Sequence, residues 1–188
     1  MKPTHFLLPL AVFSLTILPV AAQQALVPAH STLGFTFKQM GVPVDGHFTK
    51  FDAQISFDAA KPAANKVAFT VDIASATLGS REIDVELPKA PWFNTARFPQ
   101  ATFSSTAFKP LGGGKYEVTG KLSIKGQSQD VVVPVTMTQA GAVTTALGVL
   151  PIKRLAFKIG ENEWADTSMV ADDVQVKFKL ALSGVGKL

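Results

Sequence analysis

The 188-residue chain contains no cysteine, few charged residues and only three histidines. Without cysteine it cannot form disulfides, thiolate zinc sites, iron–sulfur clusters or a cysteine nucleophile. Beyond residue 22 only His30 and His47 remain, so neither a histidine-rich metal site nor any cofactor is expected. Charged residues make up 17% of the chain and form no runs, which argues against a nucleic-acid-binding arm.

The first 22 residues differ in composition from the rest of the chain. Lys2 precedes an almost wholly apolar run at 6–20, which ends in small residues. This pattern predicts a signal peptide over 1–22, cleaved before Gln23, and export to the periplasm. A transmembrane anchor is the alternative, but the run is shorter than the roughly 20 residues needed to span a bilayer and contains two prolines. The remainder, 23–188, is the right size for one domain.

Apolar and polar residues alternate along most of this domain. Val67, Phe69 and Val71, for example, are separated by Ala68 and Thr70. Such a period of two is typical of strands with one buried and one wet face. The predicted strands lie at 32–38, 44–57, 66–73, 101–109, 116–125, 129–138, 143–159 and 173–182.

Glycine-containing turns separate several of these strands. Gly112–Gly114, Lys125–Gln127 and Ala140–Ala142 predict hairpins, so consecutive strands should be antiparallel neighbours. The longest irregular stretch runs from Gly79 to Pro99 and predicts a short helix near 83–87. Eight antiparallel strands can close on themselves and remove exposed edges. The prediction is an all-β fold, an eight-stranded antiparallel barrel or a tightly curled sandwich, with one long loop.

The polar residues give little support for catalysis. His30 and Ser31 are adjacent, so on a strand their side chains point to opposite faces and cannot act as base and nucleophile. Acidic residues near Trp164 are interpreted as a solvated loop because the spacing of a calcium loop is missing. Those at Glu82 and Glu86 suit local ion pairs or helix capping. We therefore predict that the protein is not an enzyme, with a hydrolase as the weakest alternative.

The aromatic residues allow two interpretations. Phenylalanines fall on most of the predicted strands, and Trp92, Phe93 and Phe98 cluster in the long loop. Inward aromatic side chains in a small barrel either fill the interior or line a cavity for one apolar ligand. Periodicity does not separate a filled barrel, serving as a stress-related interaction module, from a ligand carrier.

Longer stretches of the sequence resemble the YceI-like family of exported lipocalin-like barrels. The stretches in question follow the family's order through nearly all of the mature chain. They include His30-Ser31 before a strand, KQMGVPVDGHF (38–48), WFNTARFPQATFSS (92–105), YEVTGKLSIKG (116–126) and IKRLAFKIGENEWADTSMVADDV (152–174). This resemblance implies a lipocalin-like barrel that holds an isoprenoid or another long-chain amphiphile, and it favours a hollow interior.

The resemblance also implies where a ligand would lie. Inward side chains of the strands would form the apolar lining, and aromatic residues of the connections would form the mouth. The expected lining is Phe35, Phe37, Phe69, Val71, Phe103 and Phe157, and the expected mouth is Trp92, Phe93 and Trp164. The expected partners are an isoprenoid or fatty amphiphile and, transiently, a membrane surface, with no nucleic acid and no metal. The sequence leaves the headgroup and the oligomeric state open.

Overall fold

A computed structural model describes residues 23–188, which form an antiparallel β-structure with one short α-helix. The predicted signal peptide lies outside the described residues. The strands are β1 (Ala25–Leu26), β2 (Thr32–Gln39), β3 (Val42–Phe48), β4 (Phe51–Ser56), β5 (Lys66–Asp72), β6 (Ala76–Thr77), β7 (Gln100–Gly112), β8 (Lys115–Ile124), β9 (Gln127–Ala140), β10 (Val143–Lys153) and β11 (Asp173–Ser183). Within the described residues, no helix is long and apolar enough to cross a membrane.

The strands belong to one sheet that curls into a barrel-like wall. Its order is β4-β5-β7-β8-β9-β10-β11-β2-β3-β6, and β1 pairs with β11 beyond the end of β2. All of these pairings are antiparallel, and β7 to β11 pair in chain order. Turns at Gly113–Gly114, Lys125–Gly126 and Gly141–Ala142 connect β7 to β10, where the sequence predicted hairpins. The all-β class and the antiparallel order are confirmed.

Residues 23–188 form eleven strands where the sequence predicted eight. Two are the two-residue strands β1 and β6, and one arises because the predicted strand 44–57 is broken at Thr49–Lys50. The first half pairs with β2 and the second half with β5, so the chain changes partner at the break. The inward residues shift there from even to odd positions, as Phe48 and Phe51 both face the core. A local irregularity that re-aims side chains in this way is the physical reason for the break.

Two further boundaries differ from the prediction. The predicted strand 143–159 ends at Lys153, and a 3-10 turn follows at Arg154–Phe157. The helix predicted near 83–87 is α1 (Arg81–Asp84), which begins two and ends three residues earlier, and a series of turns continues after it. Both differences concern the connections at one end of the barrel.

Closure of the wall is incomplete along one line, which we call the seam. The β2–β3 ladder ends where Leu33 pairs with Phe48, and β4 pairs only with β5. Among the described residues, no hydrogen bond joins the stretch 49–56 to the stretch 27–34. At the far end of the seam the Gln24 amide donates to the carbonyl of Phe57 and accepts from its N–H, at 2.7 Å each. The seam is therefore held at both ends and unpaired between them.

Three glycines shape the inner surface of the wall. A Cβ atom at any of them would lie only 2.3–2.5 Å from a phenylalanine ring carbon contributed by the neighbouring strand. The pairs are Gly46 with Phe35, Gly120 with Phe103, and Gly148 with Phe178. Each ring therefore occupies the space that a side chain would fill. Because the rings lie against the wall, they leave room along the barrel axis.

Candidate functional site

The barrel encloses an apolar cavity of about 490 Å³. Its wall takes side chains from β2 to β5, from β7 to β11, and from the connections at one end. Among the described lining residues, the polar ones are Gln39, Glu82, Glu86, Thr102 and Arg154. This volume lies within the range of about 300–1,000 Å³ for small-molecule sites. The interior is thus hollow and suited to an apolar ligand.

One end of the barrel is packed shut. Phe57 and Tyr116 meet there at right angles, with ring centroids 5.4 Å apart, and both are buried. Leu26, Met137 and Val185 belong to the same buried cluster. The other end reaches the surface, because Ile83 lines the cavity and is still 47% exposed. The cavity therefore opens at the end of the long connections, and we call this opening the mouth.

Two connections form this mouth. The first, 78–99, carries α1, Trp92 and Phe93, and the second, 154–172, carries Trp164. The indole rings of Trp92 and Trp164 meet across the two connections, with centroids 5.3 Å apart and planes tilted by 44°. Phe93 packs edge-on against Phe48 of β3 at 6.4 Å. Aromatic pairs of this kind add about 0.5–1.5 kcal/mol beyond the burial of their area.

Arg154 holds the second connection in shape. Its side chain is buried, with 2% of the residue exposed, and all of its N–H groups point to backbone carbonyls. The acceptors, at 2.7–3.1 Å, are the carbonyls of Ile159, Gly160, Trp164, Val170 and Ala171. Burial lowers the pKa of Arg154, and the nearby Asp172 carboxylate opposes this effect. A guanidinium remains charged in proteins, so it needs these acceptors.

Lys125 ties the two connections together. It lies in the turn between β8 and β9 and is only 6% exposed. Its ammonium donates to the carbonyls of Ala90 at 2.8 Å, Pro91 at 3.2 Å and Lys158 at 2.6 Å. It also pairs with the Glu161 carboxylate at 2.9 Å. Arg154 and Lys125 therefore fix the mouth by charged hydrogen bonds, and neither cation is left free for an anionic ligand.

Eight of the nine residues expected from the sequence lie in the cavity wall. These are Phe35, Phe37, Phe69, Val71, Trp92, Phe93, Phe103 and Trp164. The ninth residue, Phe157, does not line the cavity, contrary to the prediction. It lies in the 3-10 turn after β10 and is 2% exposed. The inward register of β10 is lost at that turn, so Phe157 packs into the buried cluster.

Sequence reasoning missed four polar groups of the mouth. Glu82 and Glu86 line the cavity, which the sequence did not indicate, and Glu86 also forms a local ion pair of the kind the sequence suggested, with Lys89. Arg154 continues the inward alternation of Leu150 and Ile152, and this signal could have revealed its burial. Lys125 lies in a glycine-containing turn, where nothing in the sequence distinguishes it from a solvated lysine.

His30 and Ser31, which the sequence analysis considered as a base and nucleophile, have other positions and contacts in the structure. The Ser31 hydroxyl donates to the Val27 carbonyl at 2.8 Å and accepts from the Ala181 N–H at 2.9 Å. It thereby bridges the gap between β1 and β2 along β11. His30 is exposed in a 3-10 turn. Across residues 23–188, no three His, Asp or Glu side chains lie close enough to hold a metal ion.

Known proteins share this sequence and fold. The model of the YceI-like domain matches residues 25–182. A UPF0312 protein of Azotobacter vinelandii is 37% identical over 105 residues, and one of Photorhabdus laumondii is 38% identical over 105 residues. These matches cover 55% of this chain in each case and 55% and 54% of the relatives, so they span about half of each protein.

Solved structures extend the similarity over more of the chain. The crystal structure of Burkholderia cenocepacia BcnA is 50% identical, with a TM-score of 0.81, covering 83% of this chain and 98% of that one. The Campylobacter jejuni YCEI protein is 26% identical, with a TM-score of 0.67, covering 73% and 83%. A polyisoprenoid-binding domain from Saccharophagus degradans, 16% identical, shares the fold with a TM-score of 0.70, covering 86% and 98%. The resemblance expected from the sequence is confirmed, and the chain belongs to the YceI-like family.

Proposed function

We propose that this protein is a periplasmic carrier that binds a polyisoprenoid or another long-chain amphiphile in its barrel cavity. The observation that carries the proposal is the 490 Å³ cavity, whose wall is apolar apart from a few side chains. The fold shared with the Saccharophagus degradans polyisoprenoid-binding domain supports an isoprenoid as the first ligand class to test. A binding role without catalysis agrees with the structural use of the Ser31 hydroxyl.

Apolar burial supplies the affinity in this proposal. Each buried methylene contributes about 0.8 kcal/mol, so a five-carbon isoprene unit contributes roughly 3–4 kcal/mol before ordering costs. Phe69 and Phe103 lie opposite each other on β5 and β7, and both stay partly accessible from the cavity. A chain in the cavity would cover such surfaces. The apolar wall selects for length and shape, while the headgroup lies at the mouth.

The direct experiment is mass spectrometry of an organic extract from the natively purified protein. We expect a long-chain amphiphile in near-stoichiometric amount with the wild type. Ala146, which is buried and lines the deep end of the cavity, offers a test of the location. Ala146→Phe should occupy the space that the ligand's tail needs and should strongly reduce the extracted amount. Large insertions into a packed core cost about 1–3 kcal/mol, and the open cavity should reduce that cost.

Leu147→Phe is the matched control, because Leu147 is the next residue on β10 and is exposed. It introduces the same side chain on the outer face and should leave the extract unchanged. Thermal unfolding of both variants checks that they are folded. A wild-type extract without lipid, or an Ala146→Phe extract equal to the wild type's, would refute binding in the cavity.

The mouth residues allow a second test. We propose that Phe93 packs in the rim and that Trp92 faces the ligand. Trp92→Ala should then speed the release of lipid into acceptor vesicles more than it lowers the melting temperature of the empty protein. Phe93→Ala should mainly destabilise, by about 3–5 kcal/mol, as other large truncations of packed aromatics do. Wild-type retention in Trp92→Ala, measured by extract mass spectrometry, would contradict a ligand-facing Trp92.

A further inference from the structure

A second concave surface lies on the outside of the barrel, along the seam. We call it the seam groove; residues from the start of β2, the β3–β4 bend and the middle of β11 line it. Its floor is apolar and consists of Leu33, Phe48, Phe51 and Phe178. The groove follows from the fold, because the wall has no backbone pairing between β4 and the stretch 27–34 among the described residues.

The rim of the seam groove is basic. Lys50, Lys177 and Lys179 line it together with His47, and no carboxylate is found among the described lining residues. All three lysines are exposed. Within residues 23–188, none of the three forms an ion pair within 4.0 Å.

Five other exposed lysines, Lys61, Lys89, Lys109, Lys121 and Lys153, each pair with a carboxylate. Lys66, Lys115 and Lys187 are exposed and form no ion pair among the described residues, but they lie outside the groove. What distinguishes the groove is that three such lysines line one apolar floor. Near the groove, Lys177 donates to the Thr36 hydroxyl at 2.9 Å, and that hydroxyl donates to Asp45. One carboxylate thus lies close to one of the three cations, and the groove keeps a net positive charge.

The floor of the groove is also a wall of the central cavity. Leu33, Phe48 and Phe178 line both spaces. A single layer of side chains therefore separates the cavity from whatever covers the groove. An anionic phospholipid layer presents phosphates at its surface and hydrocarbon below them. The basic rim of the groove is complementary to the phosphates, and its apolar floor is complementary to the hydrocarbon.

We propose that the seam groove is a docking surface for an anionic phospholipid bilayer. The ammonium groups of Lys50, Lys177 and Lys179 contact lipid phosphates, and the barrel lies with its seam facing the membrane. This orientation does not depend on what the cavity holds. If the cavity does carry a lipid, which rests on the proposed function, docking places only one side-chain layer between cargo and membrane.

The test is flotation of the full mature protein with vesicles of phosphatidylglycerol and phosphatidylcholine. Each lysine near an anionic surface should contribute about fivefold to the affinity, so Lys50→Gln/Lys177→Gln/Lys179→Gln should weaken binding on the order of a hundredfold at about 0.1 M ionic strength, where the Debye length is about 10 Å. At about 1 M ionic strength the wild type should no longer float, because screening shortens the range of these contacts. Vesicles of phosphatidylcholine alone should bind neither protein.

The matched control is Lys66→Gln/Lys115→Gln/Lys187→Gln. These three lysines are exposed, lie outside the groove and form no ion pair among the described residues, so the control loses the same net charge. It should bind anionic vesicles within about threefold of the wild type, since distant exposed charges are largely screened. Equal losses in both triple variants would show that net charge alone drives binding and would overturn the proposal. A wild type that does not float with anionic vesicles would also overturn it.

This outcome is separable from that of the cargo proposal. The groove triple variant should retain the wild-type lipid extract, because its substitutions lie outside the central cavity. Ala146→Phe should float with anionic vesicles as the wild type does. Failure of docking would then leave cargo binding standing, and failure of cargo binding would leave docking standing.

Discussion

At the scale of single residues, Arg154 shows how a buried charge shapes the mouth of the cavity. Its donors bind five carbonyls of one connection, so the cation replaces the hydrogen bonds that a helix or strand would give those groups. This arrangement requires Gly160 beside it, since a Cβ there would lie 2.3 Å from the Arg154 Nη1 atom. If the Arg154 side chain moved away from Gly160, some of these carbonyls would lose their hydrogen bonds. Each buried carbonyl left unpaired costs about 1–3 kcal/mol of stability.

Gly160→Ala tests this fit. Gly160 has a φ of +76°, in the left-handed region that favours glycine, and Gly41 has a φ of +80° with no atom within 4 Å of an added Cβ. Both Gly→Ala variants carry the backbone cost of about 1–2 kcal/mol, but only Gly160→Ala also collides with Arg154. We expect Gly160→Ala to lower the free energy of unfolding by at least about 2 kcal/mol more than Gly41→Ala does. Equal losses in urea denaturation would show that Arg154 adjusts freely.

At the scale of elements, the connection 78–99 depends on a short local anchor. The Asp84 carboxylate, at the end of α1, accepts from the Leu78 N–H at 2.6 Å and from the Thr77 hydroxyl. The Leu78 bond first, and then the Thr77 bond, hold the pKa of Asp84 below its ordinary value. The anchor joins α1, which carries Glu82 and Ile83 at the mouth, to β6.

Asp84 should therefore make the mouth sensitive to acid. A depressed folded pKa contributes stability that is present above the unfolded pKa of about 3.9 and is lost as the pH falls through the folded value. We expect the Leu78 amide to lose hydrogen-exchange protection below about pH 4, and Asp84→Asn to show reduced protection already at neutral pH. The control is Asp166→Asn, where Ser168 makes the equivalent bonds in the other connection. It should leave Leu78 protected; unchanged protection in Asp84→Asn would refute the anchor.

Alternation in the sequence predicted the strands well, but not the places where their register changes. Period two identifies which residues share a face only while the backbone stays regular. Between Phe48 and Phe51, and again between Ile152 and Phe157, the residues that pack in the core change from even to odd positions. The predicted strand 44–57 is broken at the first place, and the predicted strand 143–159 ends at the second. These parity changes are visible in the sequence and could have located both breaks.

The residues of the candidate site also differ in how far the sequence could predict them. Inward aromatics such as Phe69 and Phe103 were predictable because they lie in regular strands. Lys125 was not, because its burial depends on two connections that meet at its turn and supply carbonyls from residues more than 30 positions away. Periodicity alone also did not decide whether the barrel interior is filled or hollow. It shows which aromatic side chains face inward, but not whether their rings lie against the wall or extend across the interior.

At the scale of the whole molecule, the barrel is closed by different means along its circumference. Long antiparallel ladders join β7 to β11, whereas the seam is closed by Gln24 and by side-chain packing. Gln24 lies near the start of the described residues. The wall therefore needs the first residues that follow the predicted leader.

We propose that the chain is exported and cleaved before Gln23. Intact-mass analysis of a periplasmic fraction should give a chain that begins at this residue. Gln24 would then be the second residue of the mature protein and free to bond with Phe57. Recovery of the full-length chain from membranes alone would contradict this proposal.

The glycines beneath the phenylalanine rings set the width of the barrel cavity. Gly46, Gly120 and Gly148 lie on three different strands, and each accommodates one ring. At Gly46 a methyl group would meet only the side chains of Phe35 and Leu78, so it would push the Phe35 ring toward the axis and narrow the channel at that level. At Gly120 and Gly148 it would also lie 2.5–2.6 Å from the backbone carbonyls of Ser104 and Pro134, so it would disturb the ladders as well. Gly46 is therefore the level at which one substitution changes the width of the channel while the strand pairing is kept.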